Sequence, residues 1–521
     1  MRRSTVDGDP HGTARRSLPS RADVLVVGSG PVGATFAREL YDAAPWLSVL
    51  MVEAGPRLTD SLGANVRNLD AGNRRRAQDL ATRWTGQETS DTGRAGGRLA
   101  ARPGTFLLRE AGITGDDDQT GMPAAALSAN VGGMGAHWTC ACPKPGGSER
   151  IGFLEDSFDD AFDRACTLLG VTTEAFPDTD TSRELRRTLS NLFDAGRPAD
   201  RRVQPMPLAC TPTGHALPHW SGVDTVLGPL ARGQHERFTL AAETVCRRLL
   251  HESGRVSGAI LADRHSNETH LVRARFVVVA ADALRTPQLL WASDIRPRAL
   301  GTHLNDQPQI VSALALRDTA AGPSTAADDR RELLSGVLWI PFHEPDFPFH
   351  TQVMQVGTTP IEIPGADVQH RPVVTWGRFT TKDIRAEDRV EFSDTELDEF
   401  GMPAMTIHYG LSRRDRDTIA RAERDMIAQA AAIGDFFPGS EPRLLPAGSS
   451  LHYQGTVRMG EVDDGTSVCD RDSRVWGFEN LYVAGNGVIP TPTACNPTAT
   501  SVALAVLASR HLAGQVSMGA R

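Results

Sequence analysis

The sequence predicts an α/β fold in which a nucleotide-binding sheet brackets a second, inserted domain, and three observations predict it. A run of strand formers, Ala22-Asp23-Val24-Leu25-Val26-Val27, breaks at the turn Gly28-Ser29-Gly30-Pro31-Val32-Gly33. Helical spacing over Ala34–Leu40 and a second apolar run, Leu47–Val52, ending on Glu53, complete a β-α-β unit. Far downstream, Phe276-Val277-Val278-Val279-Ala280 and Leu481-Tyr482-Val483-Ala484-Gly485-Asn486 repeat the buried-strand signature, with a stretch of different texture between them.

Taken in order, residues 1–20 are polar and basic, with Arg2, Arg3, Arg15 and Arg16 and no apolar run behind them, and are expected to form a disordered tail. After the β-α-β unit, Pro56 to about Gly121 is polar and rich in Arg, Asp and Gly, which predicts mostly loop with short helices. A charged helical stretch follows from Glu155 to Leu192, then strands from Phe238 to Val279. The middle, about Asn305 to Pro446, carries strand-like pieces such as Val373–Trp376 and a helix from Asp415 to Ile433. A closing helix is expected over Ala499–Leu512. At 521 residues one simple core is too small an account, so two domains are expected. The first takes 21–150, 235–304 and 447–521; the second takes 151–234 and 305–446.

A formal charge of -9 argues against nucleic acid, whose phosphates are bound by clustered Lys and Arg. Seven scattered cysteines lack the spacing of a disulfide framework, which fits a reducing, cytoplasmic setting. Cys140 and Cys142 have no second ligand pair at zinc spacing, so no metal is expected. No stretch reaches the roughly 20 apolar residues of a membrane span.

The three glycines have separate jobs: Gly28 for the tight turn, Gly30 for close approach of a pyrophosphate, and Gly33 for helix–strand packing. The following helix points its N-terminus at the phosphates. Glu53 is placed to accept a hydrogen bond from a ribose hydroxyl. This much predicts a dinucleotide and does not separate NAD from FAD.

Asn130-Val131-Gly132-Gly133-Met134-Gly135-Ala136-His137-Trp138-Thr139-Cys140 resembles the flavin-attachment segment of pyranose oxidases, members of the glucose-methanol-choline (GMC) oxidoreductase superfamily. The resemblance continues through Thr286-Pro287-Gln288, Ser450–Gly460, Asp472–Phe478 and Asn496-Pro497-Thr498, and spans Asp23 to Leu512. It implies FAD on a Rossmann-type domain and a substrate domain built on a large, mostly antiparallel sheet of the p-hydroxybenzoate hydroxylase kind. The implied cofactor contacts are Gly28, Gly30, Pro31, Val32, Gly33, Glu53, Ala54, Gly133, Met134, His137, Trp138, Thr139, Val245, Ala281, Asn486, Pro497 and Thr498. Fungal pyranose oxidases carry Ser-Thr-His-Trp, with the histidine bonded to the flavin, where this chain has Gly135-Ala136-His137-Trp138. Both a covalent link and a ring that only packs on the flavin edge stay open for His137.

Oxidising a secondary alcohol removes a hydroxyl proton and a C–H hydride, so a base must stand beside the flavin. His452 is the candidate, because an imidazole with a pKa of about 6.5 accepts a proton near neutrality. Asn496, stiffened by Pro497, can donate and accept at once, and the two resemble the superfamily's His-Asn pair. Glu344–Thr351 resembles the mobile substrate loop in position, which assigns Asp346, Phe347, Phe349 and His350 to the sugar. The expected reaction is oxidation of a sugar or glycoside hydroxyl to a ketone, at C2 of a free pyranose or at C3 as in bacterial C-glycoside oxidases. O2 or a quinone would reoxidise the flavin. A dehydrogenase with another acceptor, and a non-catalytic flavoprotein, are the alternatives.

Overall fold

The structure, a computed structural model, describes residues 18–90, 93–95, 98–108, 121–214, 217–232, 235–317, 334–356 and 372–518. The expected tail thus falls almost wholly outside the described residues. The β-α-β unit forms as predicted, with strands Arg21–Val27 and Val49–Val52 flanking the helix Pro31–Ala43. Pro31 opens that helix, where its missing N–H costs nothing.

The parallel layer runs Phe238–Ala241, Val49–Val52, Arg21–Val27, Thr269–Val279. The strand Thr269–Val279 has two roles along its length. Thr269–Arg273 pairs antiparallel with Arg255–Asp263, and Val277–Val279 pairs parallel with Leu481–Val483. Its alternating first half and continuously apolar second half explain the change, since only the second half is buried on both faces. The closing helix, Thr498–Met518, is longer than expected and apolar almost all round. It is wedged between Pro31–Ala43 and Glu155–Leu169, where Ala499, Val502, Ala503 and Val506 are fully buried.

Three expectations shift for local reasons. The stretch 155–192 is two helices, Glu155–Leu169 and Asp180–Phe193, because Gly170 takes a left-handed φ of 67° and ends the first. The helix expected from Asp415 starts at Arg413 and stops at Ala430; Ser412 caps it, its Oγ accepting from Asp415 N at 3.0 Å while Asp415 Oδ2 accepts from Ser412 N at 2.7 Å. Within the polar excursion after Pro56 lies a 12-residue helix, Ala71–Thr82, started by Asp70, whose Oδ1 accepts from Gly72 N and Asn73 N.

The second large sheet is antiparallel throughout, in the order Gly434–Phe436, Gln309–Leu316, Val373–Thr380, Phe349–Val356, Leu334–Ile340, Gln204–Pro205. Side chains alternate between its faces. On one face Phe349, Thr351 and Arg378 meet the helix Arg413–Ala430: the fully buried Arg378 donates to Thr351 Oγ1 (3.0 Å), Ala422 O (3.1 Å) and Gln429 Oε1 (2.7 Å). On the other face stand His350, Gln352 and Phe379. No helix among the described residues is long and apolar enough to cross a membrane.

Candidate active site

At the C-terminal edge of the parallel layer, Gly28 has φ of 103°, and a Cβ there would lie 2.2 Å from Ala280 O. A Cβ on Gly33 would lie 2.1 Å from Gly28 O, so helix and strand touch through this glycine. Gly30 differs: a Cβ there meets nothing within 4 Å. No protein contact demands its bareness, and the helix it caps receives no side-chain acceptor at its N-terminus. A bare backbone at an uncapped helix start fits a diphosphate.

Glu53 is buried and held on both oxygens. Oε2 accepts from Ser29 N (3.2 Å) and Ser29 Oγ (2.8 Å), and Oε1 accepts from Gly55 N (3.0 Å). Burial pushes its carboxyl above the usual range. Ser29 Oγ also accepts from Gly132 N (3.0 Å), and Gly133 packs on Gly30, a Cβ on it falling 3.4 Å from Gly30 Cα. The two glycine-rich segments are thereby pinned together. Ala281 lies against Gly28, and Thr244 N, one residue before Val245, donates to Glu53 O (2.8 Å).

The segment Gly133–Ala136 is a short 3-10 helix, with Met134 half-buried, that delivers His137. Asn130 Nδ2 donates to the carbonyls of Val131 (3.0 Å) and Gly133 (3.2 Å), so its Oδ1 must be the atom 2.9 Å from His137 Nε2. His137 therefore carries its proton on Nε2. Its bare Nδ1 is buried without a partner among the described residues, against Gly104, and burial lowers the ring's pKa to about 4. Trp138 Nε1 donates to Ser221 O (2.8 Å), and Thr139 is exposed. Asn486 Oδ1 accepts from Ser501 Oγ (2.6 Å) on the closing helix, whose start follows Asn496 and Pro497 directly at Thr498. These features fit FAD: a diphosphate cradle, an acid at its rim, and a histidine-bearing segment pinned to it.

His452 and Asn496 come together although 44 positions apart, Asn496 Nδ2 standing 3.2 Å from His452 Nε2. The other ring nitrogen, Nδ1, is 2.7 Å from Gln307 Oε1. Gln307 cannot be turned round, because its Nε2 donates to Cys495 O (2.8 Å) and a carbonyl only accepts. His452 thus bears its proton on Nδ1 and offers a lone pair at Nε2. Burial lowers its pKa to about 3, which keeps the ring neutral at physiological pH. Its main chain is anchored too, His452 N donating to Asp306 Oδ1 (3.3 Å) while Asp306 Oδ2 accepts from Gly448 N (3.1 Å).

The four residues assigned to the sugar part company. Asp346 is exposed, and its carbonyl accepts from Arg421 (2.6 Å). Phe347 and Phe349 are buried and pack edge-on at 5.2 Å, with Arg378 over both rings. They pack with Arg378 on the face of the sheet away from His452. His350 reaches the pair: its ring is 5.7 Å from Phe379, which is 5.4 Å from His452, and it interacts with Asn496.

Sequence reasoning missed Gln307, Gln352 and Glu149. Gln352 Nε2 donates to Asn496 Oδ1 (2.6 Å). Glu149, buried, accepts from Ala494 N (2.8 Å) and Cys495 N (2.9 Å) through Oε1 and from Gly146 N (2.9 Å) through Oε2, gripping the backbone just before Asn496. The two-residue period through His350 and Gln352 was a readable signal. Neither Gln307 nor Glu149 stands in a pattern that marks it.

Comparison with known proteins agrees with this architecture. The sequence patterns of the GMC oxidoreductase family match residues 147–309 and 385–505. A C-glycoside 3-oxidase from Microbacterium trichothecenolyticum is 49% identical over 96% of this chain and 98% of its own length. A pyranose 2-oxidase from Tricholoma matsutake is 34% identical over 93% of this chain and 92% of its own. Among solved structures, pyridoxine 4-oxidase from Mesorbium loti superposes with a TM-score of 0.64 at 18% identity, covering 94% of this chain and 99% of that one. The chain belongs to the GMC oxidoreductase family.

Proposed function

We propose that this protein oxidises a secondary hydroxyl of a glycoside, at C3 of the sugar ring, to a ketone, with FAD as cofactor and O2 or a quinone as final electron acceptor. The observation that carries the reading is the neutral His452, its Nδ1 proton tied to Gln307 and its Nε2 lone pair beside Asn496. The 49% identity to a C-glycoside 3-oxidase supports the choice of substrate class and carbon.

Gly30, Val32 and Gly33 would hold the diphosphate through backbone N–H groups, with Gly28, Pro31 and Gly133 shaping the cradle and Glu53, Ala54, Val245 and Ala281 at the adenosine end. Met134, His137, Trp138, Thr139, Asn486, Pro497 and Thr498 surround the other end. Bound there, FAD would supply the acceptor for the hydride. His452 Nε2 takes the hydroxyl proton as the hydride departs, when the loss of electron density makes that proton strongly acidic. Asn496 Nδ2 donates to the substrate oxygen and holds it against His452. The flavin is bound without a covalent link, because Nε2 of His137 is committed to Asn130 and its lone pair faces Gly104. The parts from 21–150, 235–304 and 447–521 form the flavin domain and those from 151–234 and 305–446 the substrate domain.

The test is anaerobic mixing of the yellow protein with C- and O-glycosides and with free sugars, for wild type and His452→Ala. Wild type should bleach and His452→Ala should keep its flavin but bleach at least a hundredfold more slowly, in line with the roughly 10²–10⁴-fold worth of a general base. No bleaching of wild type by any sugar overturns the substrate, and an unimpaired variant overturns His452. Acid precipitation that leaves a yellow pellet overturns non-covalent binding.

A further inference from the structure

The amide of Asn496 can present either its oxygen or its nitrogen to His452, and only one orientation leaves His452 a lone pair for the substrate. Gln352 cannot decide between them alone, since an amide facing an amide is satisfied equally well when both turn end for end. Next in the chain of contacts is His350, fully buried, with its Nε2 3.3 Å from Gln352 Nε2. Its Nδ1 is 2.9 Å from Trp339 Nε1. An indole N–H only donates, so His350 Nδ1 is an acceptor and the proton of the neutral ring sits on Nε2. The contact with Gln352 Nε2 is therefore two donors side by side beside the Asn496 oxygen, which accepts from Gln352 at 2.6 Å. The side-chain hydrogen bond between His350 and Asn496, which favours the protonated ring, makes that oxygen their shared acceptor.

We propose that His350 is a positioning residue, which, oriented by Trp339, fixes Asn496 with its oxygen away from His452 and its NH2 towards it. The polarity of the whole chain then follows from two groups that cannot reverse, the Trp339 indole at one end and the Cys495 carbonyl at the other. Turning the Asn496 amide would put two acceptors, Asn496 Oδ1 and Gln307 Oε1, on the two nitrogens of His452. That arrangement demands a doubly protonated ring, which cannot act as the base. The role differs from direct sugar binding, and it rests on the reading of His452 as the base.

The experiment compares wild type, His350→Leu, His350→Gln and Trp339→Phe as flavin-loaded enzymes by anaerobic stopped flow. Gln can accept from Trp339 through its oxygen and donate to Asn496 through its nitrogen, as His350 does. His350→Leu should lose at least tenfold in limiting reduction rate, with less than a threefold change in apparent sugar affinity, and His350→Gln should recover to within threefold of wild type. Trp339→Phe, which keeps the histidine, covers the case in which the Leu variant fails to fold and should lose severalfold. A wild-type rate in His350→Leu, or a Gln variant as slow as the Leu variant, overturns the proposal. A second arm needs no substrate: 15N-histidine spectra, with the His452 signals assigned by their loss in His452→Gln. They should show an unprotonated Nε2 in wild type and partial protonation at Nε2 in His350→Leu; identical His452 signals in both overturn it. If no sugar reduces wild type, the functional reading falls and this spectral arm still decides the role of His350.

Discussion

Replacing Glu149 by Gln tests how far the site depends on a buried carboxylate that grips backbone N–H groups. Oε1 receives two backbone N–H groups, from Ala494 and Cys495, and Oε2 receives one, from Gly146. In Glu149→Gln the amide oxygen keeps the pair and the new NH2 faces Gly146 N–H, so one charge-assisted bond is lost and a buried donor is left unpaired. That costs about 2–3 kcal/mol. Glu149→Ala removes all three acceptor contacts in a site where Glu149 is 1% exposed, and the cost rises to about 4–5 kcal/mol. Because Cys495 O holds Gln307 and Asn496 follows directly, a loosened 494–495 backbone displaces both supports of His452. A shift of about 1 Å in such a group is worth about 10²-fold in rate. Urea unfolding and anaerobic flavin reduction, measured together on the Gln variant, should both respond. An unchanged unfolding midpoint with a wild-type reduction rate would refute the reasoning.

Gly104→Ala places a Cβ at φ of 85° and 2.4 Å from His137 Cε1; the backbone alone costs about 1–2 kcal/mol, and the ring must move, so the flavin-to-protein absorbance ratio should fall, and an unchanged ratio contradicts the packing. His350, with a pKa lowered to about 3 by burial, stays neutral in the folded protein while the unfolded chain protonates it below about 6.5, so its share of stability is complete above that pH and is lost as acid takes the pH down towards the folded value. Asp306, raised to about 6 by burial, works in the opposite sense. Between pH 5 and 6, in urea unfolding, His350→Gln should flatten the acid loss of stability and Asp306→Asn should steepen it, each by roughly 1 kcal/mol per pH unit; slopes equal to wild type would count against both assignments. Of the free cysteines only Cys166 is half-exposed, and burial raises its thiol to about 11, so a thiol reagent should modify the native protein slowly and at Cys166 first, whereas rapid labelling of several thiols would show the buried set to be wrong.

The flavin half of the molecule was legible because its constraints are local. Gly28 and Gly33 are required by contacts made within a few residues or on the adjoining strand, and the apolar run before them can only be a buried strand. His452 and Asn496 were legible through family resemblance, since residue type alone does not distinguish one histidine among 15. The supports were not. Gln352 meets Asn496 across 144 positions and Gln307 meets His452 across 145; a neutral amide in a strand carries no mark of the partner it will find. The segment around Asp346 was read as one unit facing the sugar. A strand turns successive residues to opposite sides, and Phe349 and His350 are separated by that rule.

The strand Phe349–Val356 has a practical consequence for redesign. Its even-numbered positions, 350 and 352, share a face with Phe379 and the reacting groups, whereas its odd-numbered positions, 349 and 351, share a face with Arg378 and the helix Arg413–Ala430. A mutant library meant to reshape substrate preference should step along this strand two residues at a time. Diversity at the odd positions tests the footing of the sheet instead, and a one-residue insertion would exchange the two faces, setting a phenyl ring or a threonine hydroxyl where the imidazole belongs.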